Sequence, residues 1–187
     1  MTRRRDTRSA IIEGAIRLLG RDGPEGFSAS ALAREVGVSK ANIFHHFASL
    51  DEVPIAALDR FAAAMLPPND KAPPRTPREL LLRLGEATFR VTLEQQPFFK
   101  AYFVFFARAL FDERMRGHLR ASAEPMLAGI AQQLARSMPK AEAEVIARLA
   151  LMTIDGLGLH LLALGEERKA RQAWRRFVDA IFPKETS

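Results

Sequence analysis

Apolar residues recur along this chain at steps of three and four, not two. Ile11, Ile12, Ala15, Ile16, Leu18 and Leu19 make one stripe, the spacing at which side chains share a helical face. The run "GRDGPEGF" then supplies Gly20, Gly23 and Pro24 as breakers, because glycine and proline punctuate helices. Ser28 is placed to cap a second helix that turns Leu32, Ala33 and Val36 inward; a serine oxygen there accepts from a free first-turn amide. Gly37 ends that helix and Ser39 caps a third. Ser49 to Glu52, "SLDE", has the spacing of a capping box and opens a fourth helix, in which Pro54 predicts a local irregularity.

A boundary follows. "LPPNDKAPPRTP", Leu66 to Pro77, holds five prolines in twelve residues and predicts a stiff spacer or hinge. Thr76-Pro77-Arg78-Glu79 opens a new helix, with proline first and glutamate third. "PFFKAYFVFFARALF", a segment over 112–138 interrupted by Pro125, then 141–164 and 166–182 keep the helical period. No strand alternation and no internal repeat appears. The chain is predicted to be all-α, with about nine helices. Residues 1–53 form a three-helix head that continues into a connecting helix to about 66. Residues 67–187 form a larger helical domain.

Composition narrows the function classes. Across 187 residues 48% are apolar, enough for a packed core and against disorder. The formal charge of +6 leaves polyanions among the partners. Cysteine is absent, which removes disulfides and thiolate metal sites. The polar start "MTRRRDTRS" does not read as a secretory leader. No stretch approaches the roughly 18 apolar residues of a membrane helix. A cytoplasmic protein is expected.

The chemistry concentrates in "SALAREVGVSKANIFHHFASLDEV", Ser30 to Val53. Val36-Gly37-Val38 makes the tight turn of a helix-turn-helix, where Gly37 can take positive φ. Ser39 starts the next helix, and Lys40, Ala41 and Asn42 fill its first turn. In this motif class that turn meets base edges in the major groove. Asparagine can pair with adenine through two bonds, and lysine can reach guanine or a phosphate. Ile43 and Phe47 anchor the opposite face. His45 and His46 could suggest a metal, but adjacent helical residues diverge by about 100° and no third ligand is near. A phosphate-facing role suits them better. "TRRRDTR" reads equally as a phosphate or minor-groove arm and as a solvated tail.

These residues resemble the DNA-binding domain of the tetracycline-repressor (TetR) family. The resemblance covers about residues 8 to 53, through "AIIEGAIRLLGRDG" and "LAREVGVSKANIFHHF". It implies a helical regulator whose first domain reads operator DNA and whose larger second domain binds ligand and dimerises. Carried onto this chain, the DNA-binding set is Ser28, Ser39, Lys40, Ala41, Asn42, Phe44, His45 and His46, with Ser28 where the family has threonine. Two positions depart from the family. Phe44 replaces a tyrosine whose hydroxyl commonly bonds phosphate, and Leu50 replaces a lysine. Both changes lower the sequence-independent part of affinity.

The second domain carries two further patterns. Leu149, Met152, Gly156 and Leu159 step along one face of a helix that is apolar nearly all round, and Trp174 and Phe177 repeat the pattern on the next. Such helices can pair with two-fold mates in a four-helix bundle, as in the resembled family, or pack within the chain. The other pattern is aromatic. Six of 13 phenylalanines and the single tyrosine fall between Phe98 and Phe111. Phe99, Tyr102, Phe103 and Phe106, with Arg108 or His118 as a polar handle, would suit a mainly apolar small molecule, or be plain core. The expectation is therefore a homodimeric repressor, released from double-stranded operator DNA by such an effector. The competing reading is a DNA-organising protein with a filled core. No cofactor or metal is expected, and no nucleophile–base cluster marks an enzyme.

Overall fold

The computed structural model describes residues 7–65 and 74–183, without the side chains of 61–65. Most of the proline-rich stretch and of the arginine-rich start lies outside the described residues, and with them the spacer and arm expectations. Nine helices and no strand occur among the described residues: α1 (Thr7–Asp22), α2 (Ala29–Val36), α3 (Lys40–His46), α4 (Glu52–Met65), α5 (Pro77–Glu94), α6 (Gln96–Ala109), α7 (Glu113–Leu134), α8 (Lys140–Leu164) and α9 (Glu167–Ile181).

Local chemistry accounts for most of the ends. The Ser28 and Ser39 hydroxyls accept from the Ala31 and Asn42 amides, both at 3.1 Å. Gly37 closes α2 at φ 77°, and its amide donates to the Ala33 carbonyl. Thr76 accepts from the Glu79 amide at 3.1 Å while the Glu79 carboxylate takes the Arg75 amide. At α4 the box is offset by one: Glu52 accepts from the Ala48 amide, not from Ser49. The irregularity expected at Pro54 is absent. α4 begins at Glu52, so proline sits in the first turn, where no intrahelical donor is required.

Packing groups the helices differently from the linear division at the prolines. One unit joins residues up to 66 with 96–123; the other joins 67–95 with 124–187. The division falls within α7, next to Pro125.

In the first unit the predicted stripe of α1 is buried throughout, with Leu32, Ile43 and Phe47 beside it in the core. α1 packs on α2, α4 and α6. Gly20 is no breaker but lies inside α1: a β-carbon there would sit 2.0 Å from the Pro97 carbonyl oxygen at the start of α6. Arg17 and Arg21 both donate to Glu35, at 2.9 and 3.0 Å, joining α1 to α2.

In the second unit Leu81, Phe89, Leu134, Ala147, Ala150, Trp174 and Val178 form a core between α5, α7, α8 and α9. Arg171 lies 4.3 Å over the Phe89 ring, and Arg78 bonds Asp179 at 2.6 Å. By length and composition α8 could cross a membrane, contrary to the expectation that no stretch approaches that limit. Its charges, Arg148 and Asp155 among them, are spaced widely enough to leave long apolar runs. One face of α8, with Ile146, Ala150, Ile154 and Leu161, is buried in this unit's core.

Candidate functional site

The first three helices build a surface around α3. Ile43 and Phe47 are buried, which fixes the helix's inner face; Lys40, Ala41, Asn42, Phe44 and His45 are exposed, and His46 is half-buried. The Ser39 hydroxyl holds the Asn42 backbone amide, leaving the carboxamide outside. His45 and His46 stand edge to face, 5.2 Å apart. Among the described residues no group of three or more His, Asp or Glu is placed to hold a metal ion. Arg8 lies 5.1 Å over the Phe47 ring, a cation–π contact that ties the start of α1 to the end of α3.

Electrostatics stiffen this head. Hydrogen bonds from Arg17, then Arg21, hold the Glu35 carboxyl below the usual carboxylate range. Arg108 on α6 donates to Asp51 at 2.7 Å and to Asp112 at 3.1 Å; the Asp51 bond is the main reason its pKa is raised. Arg114 lies 3.6 Å from Glu52. The loop before α4 is thus held from α6 and α7. Sequence spacing could not show this, because the partners are far apart along the chain.

The other predicted residues are placed unevenly. Phe99 and Tyr102 are buried, and Phe103 and Phe106 half-buried. Tyr102 meets Phe103 at 5.5 Å and Phe106 at 4.8 Å between ring centres, both edge-on. Arg108, expected as a polar handle, is occupied by its two carboxylates. His118 is half-buried. On α8, Leu149, Met152, Gly156 and Leu159 are exposed. Val145 extends the same exposed stripe; taking one more step of four back from Leu149 would have found it. A cleft of about 540 Å³ runs between α8 and α9, lined by Gly156, His160, Leu164, Lys169 and Phe177 among others. Trp174 reaches it only from beneath: it is buried in the unit's own core, 5.3 Å from the Phe177 ring.

A capped three-helix head with a glycine turn and an exposed polar first turn defines a helix-turn-helix DNA-binding protein. The family profile described as bacterial regulatory proteins, tetR family, matches residues 11–56, and that of the BetI-type transcriptional repressor C-terminal region matches 77–183. The HTH-type transcriptional regulator BetI of Rhizobium meliloti is 31% identical over 158 residues, covering 80% of this chain and 75% of its own. A transcriptional regulator from Rhodococcus sp. Rha1 superimposes with a TM-score of 0.80 at 21% identity, covering 94% of this chain and 96% of that one. The multidrug binding protein EbrR, solved with ethidium, has a TM-score of 0.71 at 25% identity, over 91% and 98% of the two chains. The chain belongs to the TetR family. It is a DNA-binding transcriptional regulator, and not an enzyme.

Proposed function

We propose that the chain is a homodimeric repressor that acts in the cytoplasm on a pseudo-palindromic operator. A small, mainly apolar effector releases it. The observation that carries the DNA half is the division of α3 between buried anchors, Ile43 and Phe47, and an exposed first turn of Lys40, Ala41 and Asn42. Lys40 and Asn42 contact bases; Ser28, Ser39, His45 and His46 lie toward phosphates. Two copies joined through α8 and α9 would set two such helices one DNA turn apart, about 34–36 Å. The exposed apolar stripe of α8 supports this pairing, since a contiguous apolar face on a polar-rimmed surface marks an interaction site.

The effector reading rests on the ring cluster of Tyr102, Phe103 and Phe106. With Arg108 committed to Asp51 and Asp112, the apolar rings and His118 are what remain to recognise a ligand. The ethidium held by EbrR is a flat aromatic cation, which supports an effector recognised mainly through apolar contact. By linkage, such a molecule releases DNA only to the extent that it prefers the conformation with the wrong head spacing. The test is to sequence fragments retained from a random duplex library by the purified chain, then to screen lipophilic and charged hydrophilic compounds for release. A shared palindrome, released by the lipophilic set, is the expected result. Retention without sequence preference, or release only by charged compounds, would overturn the corresponding half.

A further inference from the structure

We infer that Ala41 and Phe44 form an apolar edge of the DNA-reading helix that recognises thymine methyl groups. The inference rests on the proposed placement of α3 against bases and goes beyond it, because it names the chemical feature read.

Phe44 is 48% exposed, although an aromatic ring gains most from burial. The two other large apolar residues of α3 and its cap, Ile43 and Phe47, are both buried. The difference follows from helical angle. Taking about 100° per residue, Ile43 and Phe47 bracket the inward direction, while Ala41 and His45 point most nearly outward. Asn42 flanks this outward pair on one side and Phe44 on the other. Ala41 and Phe44 are three apart and share a face. The helix therefore presents an amide edge, from Asn42, and an apolar edge, from Ala41 and Phe44.

In the major groove the four base edges offer many polar atoms but one apolar group, the C5 methyl of thymine, and alanine and phenylalanine are side chains that pack on it. Phenylalanine has no hydroxyl with which to bond a phosphate. What the ring can contribute at this surface is apolar contact. A bare ring against deoxyribose would add affinity without sequence information; a ring against a methyl adds both. The adjacent Ala41, too short to reach the backbone past Phe44, fits the second arrangement.

Replacing thymidine by deoxyuridine removes that methyl and leaves the pairing edge intact. The duplex recovered from the random library would be resynthesised with deoxyuridine at each thymidine in turn, and binding measured for the full chain. One or two positions per half-site should weaken about three- to fivefold, the value of one buried methyl. Phe44→Ala should bind the thymidine and deoxyuridine duplexes alike at one of those positions, and Ala41→Gly should do so at another or at the same one. The substitution scan on the wild-type chain needs no variant to fold. If a shared sequence is recovered but no deoxyuridine weakens binding, the methyl assignment is wrong while base reading by α3 stands. If Phe44→Ala weakens every duplex equally, the ring packs on sugar and the assignment is also wrong. Recovery of no shared sequence would instead remove the base-reading placement beneath it.

Discussion

Trp174 lies so close on Gly85 that a β-carbon at that glycine would stand 2.0 Å from the indole Nε1. The contact joins α9 to α5 in the core of the second unit. Gly85→Ala should therefore overpack this core and destabilise it by about 1–3 kcal/mol. Trp174 is the only tryptophan, so its fluorescence reports the same unit directly. A lowered thermal midpoint with a red-shifted native emission is expected; an unchanged midpoint would show that the helices move apart at no cost.

Gly20 makes the corresponding contact in the first unit, against the Pro97 carbonyl. Backbone cannot rotate away as a side chain can, so Gly20→Ala should displace α6 from α1. Loss of helicity at lower temperature and weaker operator binding should appear together. Melting by circular dichroism, alongside binding by the surviving folded protein, separates the two effects.

These two glycines mark where sequence reading stops. The caps at Ser28, Ser39 and Thr76 and the turn at Gly37 were legible because each involves residues within four positions. The buried stripe of α1 was legible for the same reason. Gly20 read as a breaker because its partner, Pro97, is distant along the chain, and glycine alone does not say whether it ends a helix or admits a neighbour. The packing of α6 on α1 was not legible for a related cause: apolar periodicity shows that a face is buried, not against what. Arg108 read as a free handle because its main partner, Asp51, lies on a distant loop.

Asn42→Ala should weaken binding to the selected operator by about 1–3 kcal/mol and relax one base position. Ser28→Ala acts differently. It removes the α2 cap, worth about 1 kcal/mol of stability, and should weaken all duplexes alike. Binding measured over a panel of single-base operator variants distinguishes these outcomes. An Asn42→Ala protein with wild-type affinity would reassign the contact.

Dimerisation through α8 is best tested where the single chain has nothing to lose. Met152 is 65% exposed, and a β-carbon at Gly156 would meet nothing within 4 Å. Met152→Glu and Gly156→Arg should leave the melting of an isolated subunit intact while placing charge on the paired face. Sedimentation at micromolar concentration should show a dimer for the wild type and monomers for both variants. A monomeric wild type would remove the pairing and, with it, the palindromic operator.

The acid response of the head follows from Glu35. Its folded pKa lies below the ordinary carboxylate value, chiefly through Arg17 and then Arg21. The stabilisation is therefore fully present above the unfolded value, about 4.3, and disappears as pH falls through the lower, folded one. Both arginines are more than half exposed, so solvent screens the pairs and the effect is modest. Glu35→Gln cannot titrate and keeps a similar shape. At pH 7 it should melt about 1–3 °C below the wild type by circular dichroism. Toward pH 3 the wild type protonates and loses the same interaction, so the two curves should converge. Curves that stay parallel from pH 7 to pH 3 would show that the Arg17–Glu35–Arg21 bridge does not hold α2 to α1.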